Sequence, residues 1–291
     1  MYTIMGITGQ TGGATARALL RTGKKVRGLV RNKAKAASWE AAGVKLVVAD
    51  YDDPAALRAA FCDAEGIFAM IPPNFAPAPG YPEARAFTTG LRKAIETARP
   101  KRAVYLSSIG AHHENGLGLI TQCRILEQEL ATVSVPNAFI RAAWFMENSQ
   151  WDIDSAREKG EIASFLNPLD RPFPMVATED IGNLAAEVLQ QDWTGNRYIE
   201  LEGPCRYSQL DAARAWSRLL NRPVVANPVP REKWDAFFQQ EGTASDRTSP
   251  RIEMLDGFNS GWIDFERDGT EHVQGTCALE QAFQRLIEKA A

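Results

Sequence analysis

The sequence predicts an α/β protein with a doubly wound parallel sheet and a smaller, mainly helical C-terminal domain. Two patterns carry this. Short runs rich in β-branched and aromatic residues alternate with helical stretches, the order that strands and crossover helices take in a parallel sheet. That alternation fails near Ser149, beyond which the chain reads as helices with occasional strands. A division into 1–150 and 151–291 follows, with the second part over the carboxyl edge of the sheet and partly returning to it.

In chain order, 2–8, 25–30, 45–49, 66–71, 102–107 and 138–141 read as strands. The helix over 14–21 is stopped by Gly23 and that over 33–42 by Gly43, while 54–61 opens with Asp52 and Asp53 as caps and Pro54 at the first helical position. Stretches 83–98 and 119–132 supply the next two crossovers. Elements in the second part are expected over 181–190, 197–202, 208–220, 231–241 and 278–289; the polar, glycine-punctuated 242–275 is the least predictable segment.

Composition bounds what such a chain does. With 45% hydrophobic and 24% charged residues over 291 positions, it can bury a substantial core. A net charge of -3 without a basic block argues against direct nucleic-acid binding, and no apolar run approaches the ~20 residues of a membrane span. Cys62, Cys123, Cys205 and Cys277 lie far apart, without metal or redox spacing. No targeting peptide is evident, so a cytoplasmic protein, without a metal and either monomeric or homodimeric, is expected.

The first strand runs into Thr8-Gly9-Gln10-Thr11-Gly12-Gly13-Ala14 and then a helix. Glycines in that context let the backbone turn tightly and approach a pyrophosphate, which the N–H groups and positive end of the helix favour. Gly6, Gly9 and Gly12 also fit one register of the glycine fingerprint. The predicted domain is therefore of Rossmann type. At the end of the second strand, where an NAD-specific protein places an acidic residue against the ribose, this chain has Arg31, followed by Lys33 and Lys35. A guanidinium there suits a 2′-phosphate, hence NADPH over NADH; a solvated surface arginine is the plainer reading.

With that turn, Arg31-Asn32-Lys33-Ala34-Lys35-Ala36, Ala49-Asp50-Tyr51-Asp52 and the stretch from Arg141 through Phe145-Met146-Glu147-Asn148, the sequence resembles the NmrA-like atypical short-chain dehydrogenases/reductases, most strongly over 1–150. That family includes a nitrogen-regulatory cofactor sensor and bacterial enzymes that reduce quinones or triphenylmethane dyes with NADPH. The resemblance implies a pyrophosphate turn over Gly9, Gln10, Thr11, Gly12, Gly13 and Ala14, with Asp50 near the adenine and Ile71 and Ser107 beside the nicotinamide half. In the family's usual register the third glycine falls on Thr15, whose side chain must fit where the helix meets the sheet. Short-chain dehydrogenases also carry Tyr-x-x-x-Lys on the helix after the fifth strand, where the lysine lowers the tyrosine pKa for proton transfer. Leu119 and Cys123 stand at those positions, and the nearest imitation, Tyr81 with Arg85, is in the wrong segment. The ordinary alcohol-dehydrogenase mechanism is not expected.

Ser107 and Ser108 either face a cofactor or serve as turn residues. His112 and His113, in the loop that follows, are candidates to protonate a reduced substrate oxygen, or simply solvated. The run 72–82, with its prolines, reads as a stiff rim to the cleft. Trp144, Phe145, Met146, Asn148 and Trp151 follow the sixth strand, where a flat aromatic acceptor would stack or an interdomain core would form. Two functions fit: an NADPH-dependent reductase of a small quinone-like acceptor, or a non-catalytic NAD(P) redox sensor acting through a protein partner.

Overall fold

The alternating pattern folds as a continuous series of βαβ units. The computed structural model describes residues 1–290. Strands β1 (Tyr2–Ile4), β2 (Val26–Val30), β3 (Lys45–Val48), β4 (Gly66–Met70), β5 (Ala103–Ser108) and β6 (Asn137–Ala142) match the six expected strands. They are joined by β10 (Asn196–Glu202) and β12 (Glu271–Gln274) in one eight-stranded sheet of order β3-β2-β1-β4-β5-β6-β10-β12, every neighbour parallel. Chain order reverses between β1 and β4, and ligands of open α/β sheets bind beyond the carboxyl ends of the strands at such a point.

Burial on both faces explains the near-continuous apolar strands. Along β5, Tyr105 joins the core under helices α3 (Pro54–Phe61), α4 (Pro82–Ala98) and α5 (Thr121–Leu130), with Phe61, Leu91 and Leu126. Val104 and Leu106 point the other way, into the core under α1 (Gln10–Arg21) and α7 (Thr178–Leu189). Phe61, Phe139 and Trp216 are fully buried. Each contributes on the order of 1.5–3 kcal/mol of apolar burial.

Several expectations change. β1 ends at Ile4 rather than residue 8, and α1 begins at Gln10 rather than at Ala14, so the glycines lie in the first helical turn. Stretch 33–42 is a 3-10 turn (Ala34–Ala36) and the five-residue helix α2 (Ala37–Ala41), because alanines without an apolar stripe give little to bury. Stretch 119–132 divides likewise into a 3-10 turn (Gly118–Ile120) and α5. Segment 242–275 holds α10 (Ser249–Ser260), opened by Pro250, and the edge strand β12. β10 and β12 put the C-terminal part into the main sheet, while α6 (Ile153–Glu158), α8 (Gln209–Leu220), α9 (Trp234–Gln240), α10 and α11 (Leu279–Ala290) build the remainder. Two small parallel pairs complete it: β7 (Trp144–Phe145) with β9 (Met175–Val176), and β8 (Glu161–Ser164) with β11 (Val225–Pro228). Among the described residues no helix is long and apolar enough to cross a membrane, and no His, Cys, Asp or Glu cluster gathers to hold a metal.

Candidate active site

At the reversal of strand order, the N-terminus of α1 is open. Gly9 is its N-cap in extended conformation, offers no side chain, and is followed by no acidic residue in the first turn. The first N–H returned to the backbone is that of Gly13, which donates to the Gly9 carbonyl at 3.1 Å. The N–H groups of Gln10, Thr11 and Gly12, orphaned by helix geometry, are left for an anion. The close contact between α1 and the turn after β1 falls on Gly12: a Cβ there would stand 2.4 Å from the Gly6 oxygen and 2.5 Å from the Met5 oxygen. Thr15 fits because it is turned elsewhere, its hydroxyl donating to the Thr11 carbonyl at 2.9 Å. Gly6, Gly9 and Gly12 thus line the tightest part of this turn. Gly6, outside the expected span, adopts φ of 64°, which favours glycine.

Arg31 is exposed immediately after β2. Its charge reaches Tyr51, whose hydroxyl accepts the Gly6 N–H at 3.0 Å and donates to the Leu29 carbonyl at 3.2 Å. Burial first, only partly offset by that N–H and by Arg31, raises the Tyr51 pKa, so the phenol stays neutral and braces the turn. Asp50 lies just past β3, exposed, its carboxylate accepting the Asp52 N–H at 3.2 Å. Nothing in this array is incompatible with a dinucleotide: open N–H groups, a bare backbone cradle and a guanidinium beside the turn.

Toward the middle of the sheet edge, Ile71 follows β4 and is half-buried. Ser107, next to the last residue of β5, lies at the same edge with its side chain turned away from it. Its alternation along β5 turns it toward α5, where its hydroxyl donates to Glu127 at 2.5 Å, and only its backbone remains at the edge. Leu119 is buried in the 3-10 turn before α5, and burial pushes the Cys123 thiol up to about 12, so neither position can exchange a proton near neutral pH. The Tyr81 hydroxyl is spent on the Gly118 carbonyl at 2.9 Å.

A lip of aromatic residues faces this edge. Trp144 and Phe145 form β7, and Trp144 meets Phe258 of α10 edge-on at 5.1 Å. Asn148 lies half-buried on the 3-10 helix Met146–Asp152. Glu147 anchors that helix, its carboxylate accepting the Thr178 N–H at 3.0 Å and the Thr178 hydroxyl at 2.8 Å, so the start of α7 fixes the lip. Asp152, absent from the expected site, is a carboxyl that burial pushes up to about 7. The proline-rich loop is held as a rim: Gln122 donates to the Asn74 carbonyl at 3.0 Å and Arg247 to the Ala76 carbonyl at 3.3 Å. Two contacts join lip to turn and rim, Gln10 to Gln150 at 3.4 Å and Phe75 edge-on to Trp151 at 6.5 Å.

The His112 and His113 rings meet at a tilt of 43° with centroids 3.9 Å apart, and His113 stacks on Trp262 at 4.0 Å. His112 walls a polar cavity of about 430 Å³ with Arg124, Glu127, Arg141 and Glu266, which includes none of the turn residues. Burial, reinforced by neighbouring His113, pushes His112 down to about 4, opposite to what an acid working near neutral pH needs. The unfolded chain therefore takes up the proton first, and stability falls as pH drops from about 6.5 toward 4. His112→Gln should flatten this part of the profile. Denaturant midpoints between pH 7 and 4.5 check it, and an unchanged slope refutes it.

An all-parallel sheet with an open glycine-built helix terminus at its switch point defines a Rossmann-type protein. Residues 2–243 match the NmrA-like family, and the chain belongs to that family. It is 28% identical over 225 residues to an NAD(P)H azoreductase of Xenophilus azovorans, covering 77% of this chain and 75% of that protein. It is 27% identical over 246 residues to quinone oxidoreductase 2 of Escherichia coli strain K12, covering 83% and 82%. A solved NADPH-dependent quinone oxidoreductase from E. coli, complexed with NADPH, is similar with a TM-score of 0.79 at 22% identity, over 99% of this chain and 100% of that one, a likeness of fold.

Proposed function

We propose that the protein is an NADPH-dependent reductase of a flat, conjugated, quinone-like acceptor, working without a tyrosine–lysine dyad. The observation that carries this reading is the open, acid-free N-terminus of α1 beside Arg31, in a chain whose relatives are an azoreductase and a quinone oxidoreductase. The dinucleotide, when bound, supplies the hydride. Gln10, Thr11 and Gly12 bind its pyrophosphate through backbone N–H groups, and Arg31 selects the 2′-phosphate. Trp144, Phe145 and Asn148 hold the acceptor against the sheet edge and exclude water. A quinone needs no proton removed before it is reduced, so Leu119 in place of a base is no obstacle; Asp152 at about 7 stands on the lip as a group able to hold a proton at neutral pH.

Purified protein with NADPH and a panel of benzoquinones, naphthoquinones and azo dyes should oxidise the cofactor faster than the uncatalysed mixture, followed by loss of nicotinamide absorbance. Alcohols with NADP⁺ should give no reaction. Absence of turnover across the panel, with NADPH still raising the melting temperature, would overturn the reductase reading in favour of a redox sensor with a protein partner.

A further inference from the structure

A second guanidinium stands at the glycine turn. Arg17 lies on α1 four residues beyond Gly13, and helix side chains lean toward the N-terminus, so it reaches back to the position where Gly13 has no side chain. A Cβ on Gly13 would meet the Ile7 oxygen at 3.0 Å, Arg17 Nη1 at 3.3 Å and the Trp39 ring at 3.4 Å. Trp39, on α2, lies under Arg17, its ring centroid 5.8 Å from the guanidinium carbon. That cation–π contact restricts a long exposed side chain and lessens the entropy lost when it grips an anion.

Charge balance favours a ligand for it. Among the described residues Arg17, Arg31 and Lys35 form no ion pair, whereas Lys33 is taken by Glu40 at 2.8 Å. Arg31 approaches the same turn from β2, where its charge is felt by Tyr51 on the Gly6 N–H. Two unneutralised guanidinium groups thus flank one bare stretch of backbone. We propose that Arg17, oriented by Trp39, is the second arm of an adenosine 2′-phosphate site shared with Arg31. Planar guanidinium groups arriving from two elements suit the oxygens of one phosphate. This deepens the cofactor reading above and rests on it.

Isothermal titration of the full chain with adenosine 2′,5′-bisphosphate and with adenosine 5′-monophosphate tests the pair directly, without catalysis. Arg17→Gln should weaken the bisphosphate roughly tenfold, the size of one charge-assisted hydrogen bond, and leave the monophosphate unchanged. Arg17→Lys should restore part of the loss, and Trp39→Leu should lose about two- to fivefold in the same direction. If Arg31→Asp abolishes the preference for the bisphosphate while Arg17→Gln keeps it intact, Arg17 is surface packing and the proposal is wrong. If wild type binds both nucleotides equally, there is no 2′-phosphate site; if it binds neither, the dinucleotide reading itself fails.

Discussion

Gly12→Ala should abolish the stabilisation by NADPH and lower the stability of the free protein by about 1–3 kcal/mol, the cost of forcing one extra carbon into a closed contact. The new methyl would stand 2.4 Å from the Gly6 oxygen, 2.5 Å from the Met5 oxygen and 2.6 Å from the Gly6 carbon. All three are backbone atoms. They cannot swing aside as a side chain would, because the Gly6 carbonyl accepts the Gly9 N–H at 2.8 Å and the Gly6 N–H is held by Tyr51 at 3.0 Å. Relief must therefore come from moving α1 away from the Met5–Gly6 backbone, which displaces the N–H groups assigned to the pyrophosphate. At a hundredfold over its dissociation constant, NADPH should stabilise wild type by about 2.7 kcal/mol, a melting shift on the order of 5 to 10 °C. Thermal melts with and without NADPH check this, with exposed Lys93→Ala on α4 as control. A full wild-type shift in Gly12→Ala would refute the placement of the pyrophosphate.

The reading of the fold from sequence succeeded where local chemistry decided and failed where distant packing did. Asp53 and Pro54 marked the start of α3 because the cap is made within three residues, Asp53 accepting the Ala55 N–H at 2.8 Å. Met5 and Ile7 look like strand yet belong to the turn; they are fully buried, so a closed turn shows the apolar signature of a strand. β12, Glu-His-Val-Gln, carries almost no apolar signal because it is a short edge strand whose place depends on pairing with β10. α10 gave no clear signal because its start has no side-chain cap and its surroundings are polar and glycine-punctuated. In the site, the glycine turn was visible because strand, turn and helix are contiguous. The alternation of Ser107 with Tyr105 already put its hydroxyl on the α5 face, whereas the contact of Arg17 with Trp39 had no sequence signal because it requires α2 to come back against α1.

The largest loss of stability should come from Arg141→Met, about 3–5 kcal/mol, because it strands a buried carboxylate. Arg141 and Glu127 are each 6% exposed at the side chain. Arg141 donates from Nε to Oε1 of Glu127 at 3.0 Å and from Nη2 to Oε2 at 2.9 Å, while Nη1 reaches Glu266 at 2.6 Å and the guanidinium lies 4.7 Å over the Tyr198 ring. Glu127 also accepts the Ser107 hydroxyl at 2.5 Å, so one carboxylate ties the end of β5 to β6 through α5. Without Arg141 that carboxylate, itself only 6% exposed, keeps a single hydroxyl partner, and its desolvation is no longer offset by a paired guanidinium. The pair as a whole need not stabilise the fold, since desolvation takes back much of the Coulomb energy. Arg141→Met combined with Glu127→Leu should therefore be markedly more stable than Arg141→Met alone, with a coupling energy on the order of 1–3 kcal/mol in a double-mutant cycle. Urea midpoints for wild type, both single variants and the double variant measure it. Equal destabilisation by the single and double changes would mean that the stranded charge is not the cause, and that lost packing on Tyr198 is.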